Sequence, residues 1–301
     1  MIKNFDEILE KVKSESQKTI AVAMAEDADV LLALERARAN GLTKAILTGN
    51  SENIIKIMIE LKIDPQDYEI IVTNDERSSV EKAVEQVKKG NAQVLMKGLC
   101  STATFLKGIL DKSNGLRSGK VLSHLAVFES PRYHKLFMLS DAAMNVAPDL
   151  SAKIAICENA IKSAIALGYE KPKIAMISAV EKVNPDGIPS TADAAIIAKM
   201  NERKQIKNAI IDGPLALDNA LSKQSCEVKG LETPVGGDAD IIIVPNIETG
   251  NACYKLLTIL GGAKVAGIIV GATAPIVLTS RADSDESKFL SIVTALKATQ
   301  E

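Results

Sequence analysis

Residues 19–48, TIAVAMAEDADVLLALERARANGLTKAILT, place two short apolar runs on either side of an amphipathic stretch. The runs at 19–23 and 44–48 have the length and composition of buried strands, and the apolar residues between 29 and 39 recur at helical spacing. This order predicts a βαβ unit, in which a helix joins two parallel strands. A parallel sheet covered by helices is therefore the expected core.

The same alternation continues to the end of the chain. Further strands are predicted at 69–72, 93–96, 122–128, 136–139, 173–177, 209–211, 241–244, 265–270 and 276–279, with helices in most of the gaps and a last helix at 286–298. The predicted class is α/β with three-layer αβα architecture, and 301 residues are more typical of two lobes than of one.

The turn-rich segment 113–119 is the predicted crossing point between the lobes. Residues 1–120 with 267–301 are expected to form a discontinuous first α/β lobe, and residues 121–266 the second. A cleft between two such lobes would be the default ligand site.

Composition limits the partners. The chain has 36 basic and 38 acidic side chains, and its formal net charge is −2. With so little net charge, neither nucleic acid nor an anionic membrane is expected as the main partner. The four cysteines are widely spaced and form no CxxC pair, which indicates free thiols in a reducing compartment rather than zinc ligands or disulfides. The N-terminus is charged throughout, unlike a signal peptide, and a cytoplasmic location is expected.

Three polar clusters follow predicted strands, where open α/β sheets bind ligands. In the first, Lys97 and Gly98 precede Ser101, Thr102 and Thr104, hydroxyl residues that open a helix. The free amides of a helix start, with Ser101 or Thr102 as its cap and Lys97 beside it, suit a phosphate. The alternative is a well-capped helix with a surface lysine.

The second cluster, IVPNIETGN at 243–251, ends a strand with a proline and a polar loop before a helix predicted at 252–260. Turns need Asn and Gly for backbone reasons, so simple punctuation is the competing interpretation. Asp141, after the strand at 136–139, is a weaker candidate that would serve equally well as a cap.

The third cluster is VLTSRADSDES at 277–287, where Ser280 and Arg281 follow an apolar strand. A guanidinium at a strand end presents a rigid fork of donors that matches two phosphate oxygens. The competing interpretation is an exposed arginine paired with Asp283 or Asp285.

Several common chemistries lack their motifs. The chain has no GxxxxGK[ST] loop, no GxGxxG after its first strand and no GxSxG elbow. The two histidines, His124 and His134, show no spacing that indicates a catalytic base, and both are interpreted as structural or surface residues.

Five segments together resemble one family, the phosphate acetyl/butyryltransferases, and its butyryl branch in particular. They are, in chain order, Lys97–Gly98 with Ser101–Thr104, FMLSDAAMNVAP at 137–148, GPLALDNA at 213–220, ADIIIVPNIETGN at 239–251 and ATAPIVLTSRADS at 272–284. The resemblance implies a homodimer of two-lobed α/β subunits, similar in fold to the isocitrate and isopropylmalate dehydrogenases, with the active site in the cleft. It also implies that butyryl-CoA and phosphate react reversibly to butyryl phosphate and CoA, with no metal or other prosthetic group.

The resemblance assigns roles to some residues. Ser280 and Arg281 match the family's Ser-Arg pair, which implies a hydroxyl near the thioester and an arginine on phosphate. The acetyl branch carries a presumed base seven residues after that serine, where this chain has Ser287, so the base falls instead to Asp283 or Glu286.

One further binding role rests on the same resemblance. Lys107 lies near an arginine position of the acetyl branch and is a candidate phosphate contact. With the polar residues of the first and second clusters, the full set of candidate phosphate- and CoA-binding residues is Lys97, Ser101, Thr102, Thr104, Lys107, Asn246, Glu248, Gly250 and Asn251.

Other functions stay open from sequence alone. Phosphate acetyltransferase or a broad short-chain acyltransferase would use the same apparatus, since one methylene changes selectivity by only about 1–3 kcal/mol. Direct transfer is preferred to an acyl-enzyme on Cys100, because a free cysteine more often behaves as a small buried apolar residue. A dehydrogenase of this fold would need a cluster of aspartates to hold a divalent metal, and the sequence shows no such cluster. The alternative from another functional class is a noncatalytic protein that binds CoA or acyl phosphate.

Overall fold

The structure, a computed structural model, describes residues 2–118, 121–278 and 283–299. Its strands are β1 Lys18–Ala23, β2 Thr43–Gly49, β3 Glu69–Val72, β4 Val94–Lys97, β5 Ser123–Glu129, β6 Phe137–Ser140, β7 Lys173–Ile177, β8 Ile210–Leu215, β9 Ile241–Ile243, β10 Lys264–Val270 and β11 Ile276–Val277. Its α-helices are α1 Phe5–Ser14, α2 Ala28–Ala39, α3 Ser51–Glu60, α4 Glu76–Lys88, α5 Thr102–Ile109, α6 Leu150–Leu167, α7 Ser190–Glu202, α8 Leu217–Leu221, α9 Lys223–Lys229, α10 Ile247–Lys255 and α11 Asp285–Ala298. A 3₁₀ turn at Pro65–Asp67 and a π-helical turn at Leu256–Leu260 complete the list. The predicted α/β class is confirmed.

Two compact units make up the chain. The first unit consists of Phe5–Lys120 with Ala266–Glu301, and the second of Met1–Asn4 with Val121–Val265. The segment Met1–Asn4 is grouped with the second unit because its contacts are mainly with that unit, whereas it was predicted from the sequence to belong to the first lobe. The proposed lobe boundaries as such stay a prediction.

The first unit contains a largely parallel sheet. Its strands are ordered β3-β2-β1-β4-β11-β10, and β10 alone among these described strands runs antiparallel to its neighbour β11. The βαβ unit at 19–48 forms as predicted, with β1 pairing parallel to β2 from Lys18↔Thr43 to Val22↔Leu47. The uncharged segment after residue 264 folds into two buried strands, β10 and β11, as the sequence indicated.

The second unit contains a mixed sheet ordered β5-β6-β9-β7-β8. Strand β5 is antiparallel to β6, while β6, β9, β7 and β8 are parallel to one another. One face packs an apolar cluster that includes the stacked rings of Phe128 and Phe137, whose centroids are 5.3 Å apart. Because the parallel strands carry their carboxyl ends to one edge, the loops after β6 and β9 emerge side by side.

None of the helices in the described part of the chain combines the length and apolar content that a bilayer crossing requires.

Candidate active site

In the first unit, the loop from β4 to α5 carries the first predicted cluster. Gly98 donates its amide to Ala23 O at 2.9 Å, and the amide of Leu99 bonds Met24 O at 2.7 Å, so the loop lies against the end of β1. A Cβ at Gly98 would collide with the Met24 carbonyl oxygen, which is why this close approach needs glycine. Strands β1 and β4 thus end together, with Lys97 at the edge.

Ser101 caps α5, as predicted. Its hydroxyl accepts a hydrogen bond from the Thr104 amide at 3.2 Å and lies 3.0 Å from the Thr104 hydroxyl. Among the described residues, no group accepts a hydrogen bond from the amides of Thr102 and Ala103, and both residues are exposed. Free amides at a helix start carry part of the positive end of the helix dipole, so this turn can accept an oxyanion.

An acidic residue that was not predicted from the sequence lies at the same turn. Glu76, the first residue of α4, accepts the Ser101 amide through Oε1 at 2.6 Å. Hydrogen bonds from the Ser101 hydroxyl and amide, then from the Thr104 hydroxyl, hold the pKa of the Glu76 carboxyl below its usual range, and the positive charge of Lys97 adds to the effect. An ionised carboxylate is therefore already present beside the open amides.

Cys100 lies in the same loop but points into the protein. It is 2% exposed, and its Sγ lies 3.6 Å from Ala23 O. Burial raises the pKa of its thiol to about 11, with smaller opposing contributions from neighbouring groups. A neutral, enclosed thiol is a poor nucleophile, because the thiolate is the reactive form.

Strand β11 reaches the same edge as β4. The two strands are parallel, with Ile276 opposite Leu95 and Val277 opposite Met96. Lys97 ends β4 one residue after this register, and the predicted pair Ser280 and Arg281 follows β11 in the sequence. That pair lies outside the described residues.

The candidate bases flank the start of α11. Ser284 caps this helix by accepting the Ser287 amide at 3.2 Å, so Ser287 has a structural place at the position where the acetyl branch has its presumed base. Glu286 forms an ion pair of 2.5 Å with Arg36, whose guanidinium lies over the ring of Phe289. Asp283 immediately precedes the cap.

Lys107 is not at the helix start. It lies in the last turn of α5, and its side chain lines an open groove of about 690 Å³ between α4 and α5 together with Thr104, Arg77 and Lys88. Glu81, Glu85 and Asp111 line the same groove, so its charge is mixed.

In the second unit, the second predicted cluster has a different local structure from the one expected. The helix predicted at 252–260 begins five residues earlier, at Ile247, because the Asn246 side chain accepts the Thr249 amide at 3.0 Å and caps it. Glu248, Gly250 and Asn251 therefore lie in the first turns of α10 rather than in a loop.

The helix start of α10 packs against the loop after β6. A Cβ at Gly250 would collide with the Asp141 carbonyl oxygen, and the Asn251 side chain donates to Ala142 O at 3.3 Å. Asp141 is 2% exposed and accepts the amides of Ala143 and Met144 at 2.9 and 3.0 Å. It shapes this loop as a capping group, one of the two roles left open from sequence. Exposed Glu248 is the acidic group of the helix start.

The two histidines have structural surroundings. His124 is 8% exposed on β5 and meets the Tyr254 ring edge-on. The exposed His134 ring lies 2.9 Å from Asp238.

Within the described ranges, no group of three or more His, Cys, Asp or Glu side chains is placed to hold a metal ion.

Comparison with known proteins gives a family. The sequence profile of the family described as "Phosphate acetyl/butaryl transferase" matches residues 74–296. The chain is 50% identical over 295 residues to the phosphate butyryltransferase of Clostridium acetobutylicum, with 98% of each chain covered. It is 41% identical over 287 residues to the phosphate acetyltransferase of Thermotoga maritima, covering 95% of this chain and 97% of that one.

A solved structure agrees with these sequence relatives. The branched-chain phosphotransacylase from Enterococcus faecalis V583 superposes with a TM-score of 0.84 at 37% identity, covering 94% of this chain and 99% of the other. The strands and helices that carry the candidate residues are thus arranged as in an acyl-transferring enzyme.

Proposed function

The chain belongs to the phosphate acetyl/butyryl transferase family and is an acyltransferase, and from this we propose that it moves a short-chain acyl group, butyryl above all, reversibly between CoA and inorganic phosphate. The observation that carries the proposal is the parallel pairing of β11 with β4, which brings Val277 and Lys97 to the same sheet edge. We assign Ser280 and Arg281, which follow β11 in the sequence, to the site at this edge.

Phosphate binding is the first task of such an enzyme. We place phosphate at the open amides of Thr102 and Ala103, with Lys97 beside them, and we assign Arg281 to the same anion. Fixed donors at a helix start stabilise an oxyanion without reorganising, which favours the transition state as charge builds up.

The chemical step is direct attack. A phosphate oxygen adds to the thioester carbonyl carbon, the carbonyl oxygen becomes an oxyanion, and collapse breaks the C–S bond so that CoA leaves as a thiolate that takes up a proton. Ser280 is assigned as a donor to that oxyanion. Removing one donor from an oxyanion site typically costs about 3–4 kcal/mol of transition-state stabilisation.

In the reverse direction the CoA thiol must lose its proton. The candidate bases for this step are Asp283 and Glu286, and Glu286 forms a partly exposed ion pair with Arg36. An acyl-enzyme on Cys100 is disfavoured, because burial keeps that thiol neutral and enclosed.

The remaining features of the proposal rest on the family and on the cysteines. We propose a homodimer that uses CoA, acyl-CoA and phosphate as substrates and needs no metal or prosthetic group. All four cysteines are free thiols, three of them buried, which supports a reducing, cytoplasmic location.

Thiol release tests the function. Acetyl-, propionyl-, butyryl- and valeryl-CoA are offered with and without phosphate, and free CoA is measured by a colour reaction. Phosphate-dependent release that is fastest with butyryl-CoA supports the proposal, whereas fastest release with acetyl-CoA would assign the acetyl branch. Phosphate-independent binding of CoA without release would indicate a binding protein.

Arg281→Ala tests the residue assignment. Loss of a transition-state donor is expected to lower kcat/KM at least about 100-fold. The matched control is Arg203→Ala, which removes an exposed guanidinium at the end of α7 and should retain wild-type rates. Near-normal turnover of the Arg281 variant would remove that residue from the mechanism.

A further inference from the structure

The carboxylate of Glu76 stands beside the proposed phosphate site, although a second negative charge there opposes the binding of an anion. Its Oε1 is 2.6 Å from the Ser101 amide, the donor that precedes the open amides of Thr102 and Ala103. The residue is the first of α4, which packs against α5. A phosphate at Thr102 and Ala103 would therefore be its direct neighbour.

The carboxylate is held in its charged form. Hydrogen bonds from Ser101 and Thr104 and the charge of Lys97 lower its pKa, so it stays an acceptor at neutral pH. An ionised carboxylate accepts hydrogen bonds and donates none. It can sit next to an oxyanion favourably only if that oxyanion offers a proton.

Two common tetrahedral oxyanions differ in this respect. Phosphate near neutral pH still carries a proton, and its P–OH group can donate to a carboxylate, whereas sulfate is fully ionised and cannot. The donors Lys97, Thr102 and Ala103 serve both anions equally, so the discrimination falls to the acceptor.

Resting on the proposed function, we infer that Glu76 is a specificity-determining residue, whose carboxylate accepts the P–OH hydrogen bond of phosphate and rejects oxyanions that carry no proton. The same carboxylate accepts a hydrogen bond from the Ser101 amide, which positions it at the site.

Glu76→Gln separates this role from simple repulsion. Glutamine keeps an oxygen that can accept from Ser101 or from P–OH, so phosphate loses a charge-assisted hydrogen bond at the same time as it loses the repulsion. Sulfate loses only the repulsion and gains an amide donor. The preference for phosphate over sulfate is expected to fall at least about tenfold, the equivalent of one hydrogen bond to a charged group.

The experiment compares KM for phosphate with the inhibition constant of sulfate in the thiol-release assay. Glu76→Asp keeps the charge and should retain most of the preference. The matched control is Glu52→Gln, which removes the exposed first-turn glutamate of α3 in the same unit and should leave the preference unchanged. A Glu76→Gln variant in which phosphate and sulfate improve by the same factor, or in which neither changes, overturns the inference.

A second measurement does not depend on turnover. The melting temperatures of wild type and Glu76→Gln are recorded in phosphate and in sulfate at equal ionic strength, because a ligand that binds the native state raises the melting temperature. Both anions also stabilise folded proteins without binding a site, so the measured quantity is the difference between them. A larger rise with phosphate than with sulfate in the wild type, which shrinks in Glu76→Gln but not in Glu52→Gln, supports the inference even if no acyl-CoA is turned over. A difference that is the same in wild type and Glu76→Gln refutes it, whatever the outcome of the activity assay.

Discussion

A buried ion network at the amino ends of three strands provides the sharpest stability prediction. Lys135, just before β6, has a side chain that is 1% exposed, and its Nζ lies 2.5 Å from Asp240 and 2.9 Å from Asp238. Lys173, the first residue of β7, pairs with Asp238 at 2.6 Å and donates its amide to Asp240 at 2.7 Å. The network therefore joins β6, β9 and β7.

Lys135→Met removes the only fully buried cation of this described network. Breaking a buried pair by removing one partner costs about 3–5 kcal/mol, and we expect the lower value, about 3 kcal/mol, because Lys173 still faces the two carboxylates. For a unit of this size each kcal/mol lowers the melting temperature by about 2–4 °C, so a fall of about 6–12 °C follows.

Thermal unfolding followed by circular dichroism measures the effect. Lys199→Met is the control, because Lys199 pairs with Glu202 on the exposed face of α7 in the same unit and such pairs contribute about 1 kcal/mol or less. The double variant Lys135→Met/Asp240→Asn should recover much of the loss, because asparagine keeps an oxygen for the Lys173 amide and removes the carboxylate that lost its cation. A single variant that melts like the control would refute the reasoning.

The same network predicts an acid sensitivity. Burial raises the pKa of Asp238, but hydrogen bonds from Lys173, Lys135 and His134 lower it more, so the net pKa lies well below its usual range. A depressed folded pKa stabilises the protein above the unfolded value of about 3.9, and this contribution is lost as the pH falls through the folded value. Wild type should therefore lose more stability than Lys135→Met as the pH is lowered below about 4.

Three further predictions concern the candidate site. Cys100→Ala should keep most of its turnover, and a folded but inactive variant would restore the covalent route. Gly250→Ala places a Cβ against the Asp141 carbonyl oxygen, so overpacking should destabilise the second unit by about 1–3 kcal/mol in denaturant titrations; an unchanged midpoint would show that α10 shifts freely. Asp283→Asn and Glu286→Gln identify the base in acyl transfer from acyl phosphate to CoA: the variant that lacks the base should be slowed about 100-fold, the lower range for general base catalysis, and the other much less. If neither variant is slowed, both residues are removed from this role.

Local sequence patterns determined most of the fold class. The βαβ unit at 19–48 and the start of α5 at Ser101 were predicted because strand length, helical spacing and capping hydroxyls act over fewer than ten residues. The same local rules misplaced the start of α10, since Asn246 followed by a glycine four residues later is compatible with either a turn or a capped helix. Only the hydrogen bond from the Thr249 amide distinguishes the two.

The neighbours of the site were decided by tertiary structure. Glu76 meets Ser101 across 25 residues, and Glu286 meets Arg36 across 250, and no sequence pattern specifies such contacts. They arise because the strand order β1-β4-β11 brings distant segments to one edge, and that order depends on how helices and strands pack over the whole unit. The sequence by itself determined which elements form and where polar residues follow strands, because those signals are periodic and local. Which carboxylate bonds the Ser101 amide and which is bound to an arginine was decided only by packing, because it depends on distances between residues far apart in the chain.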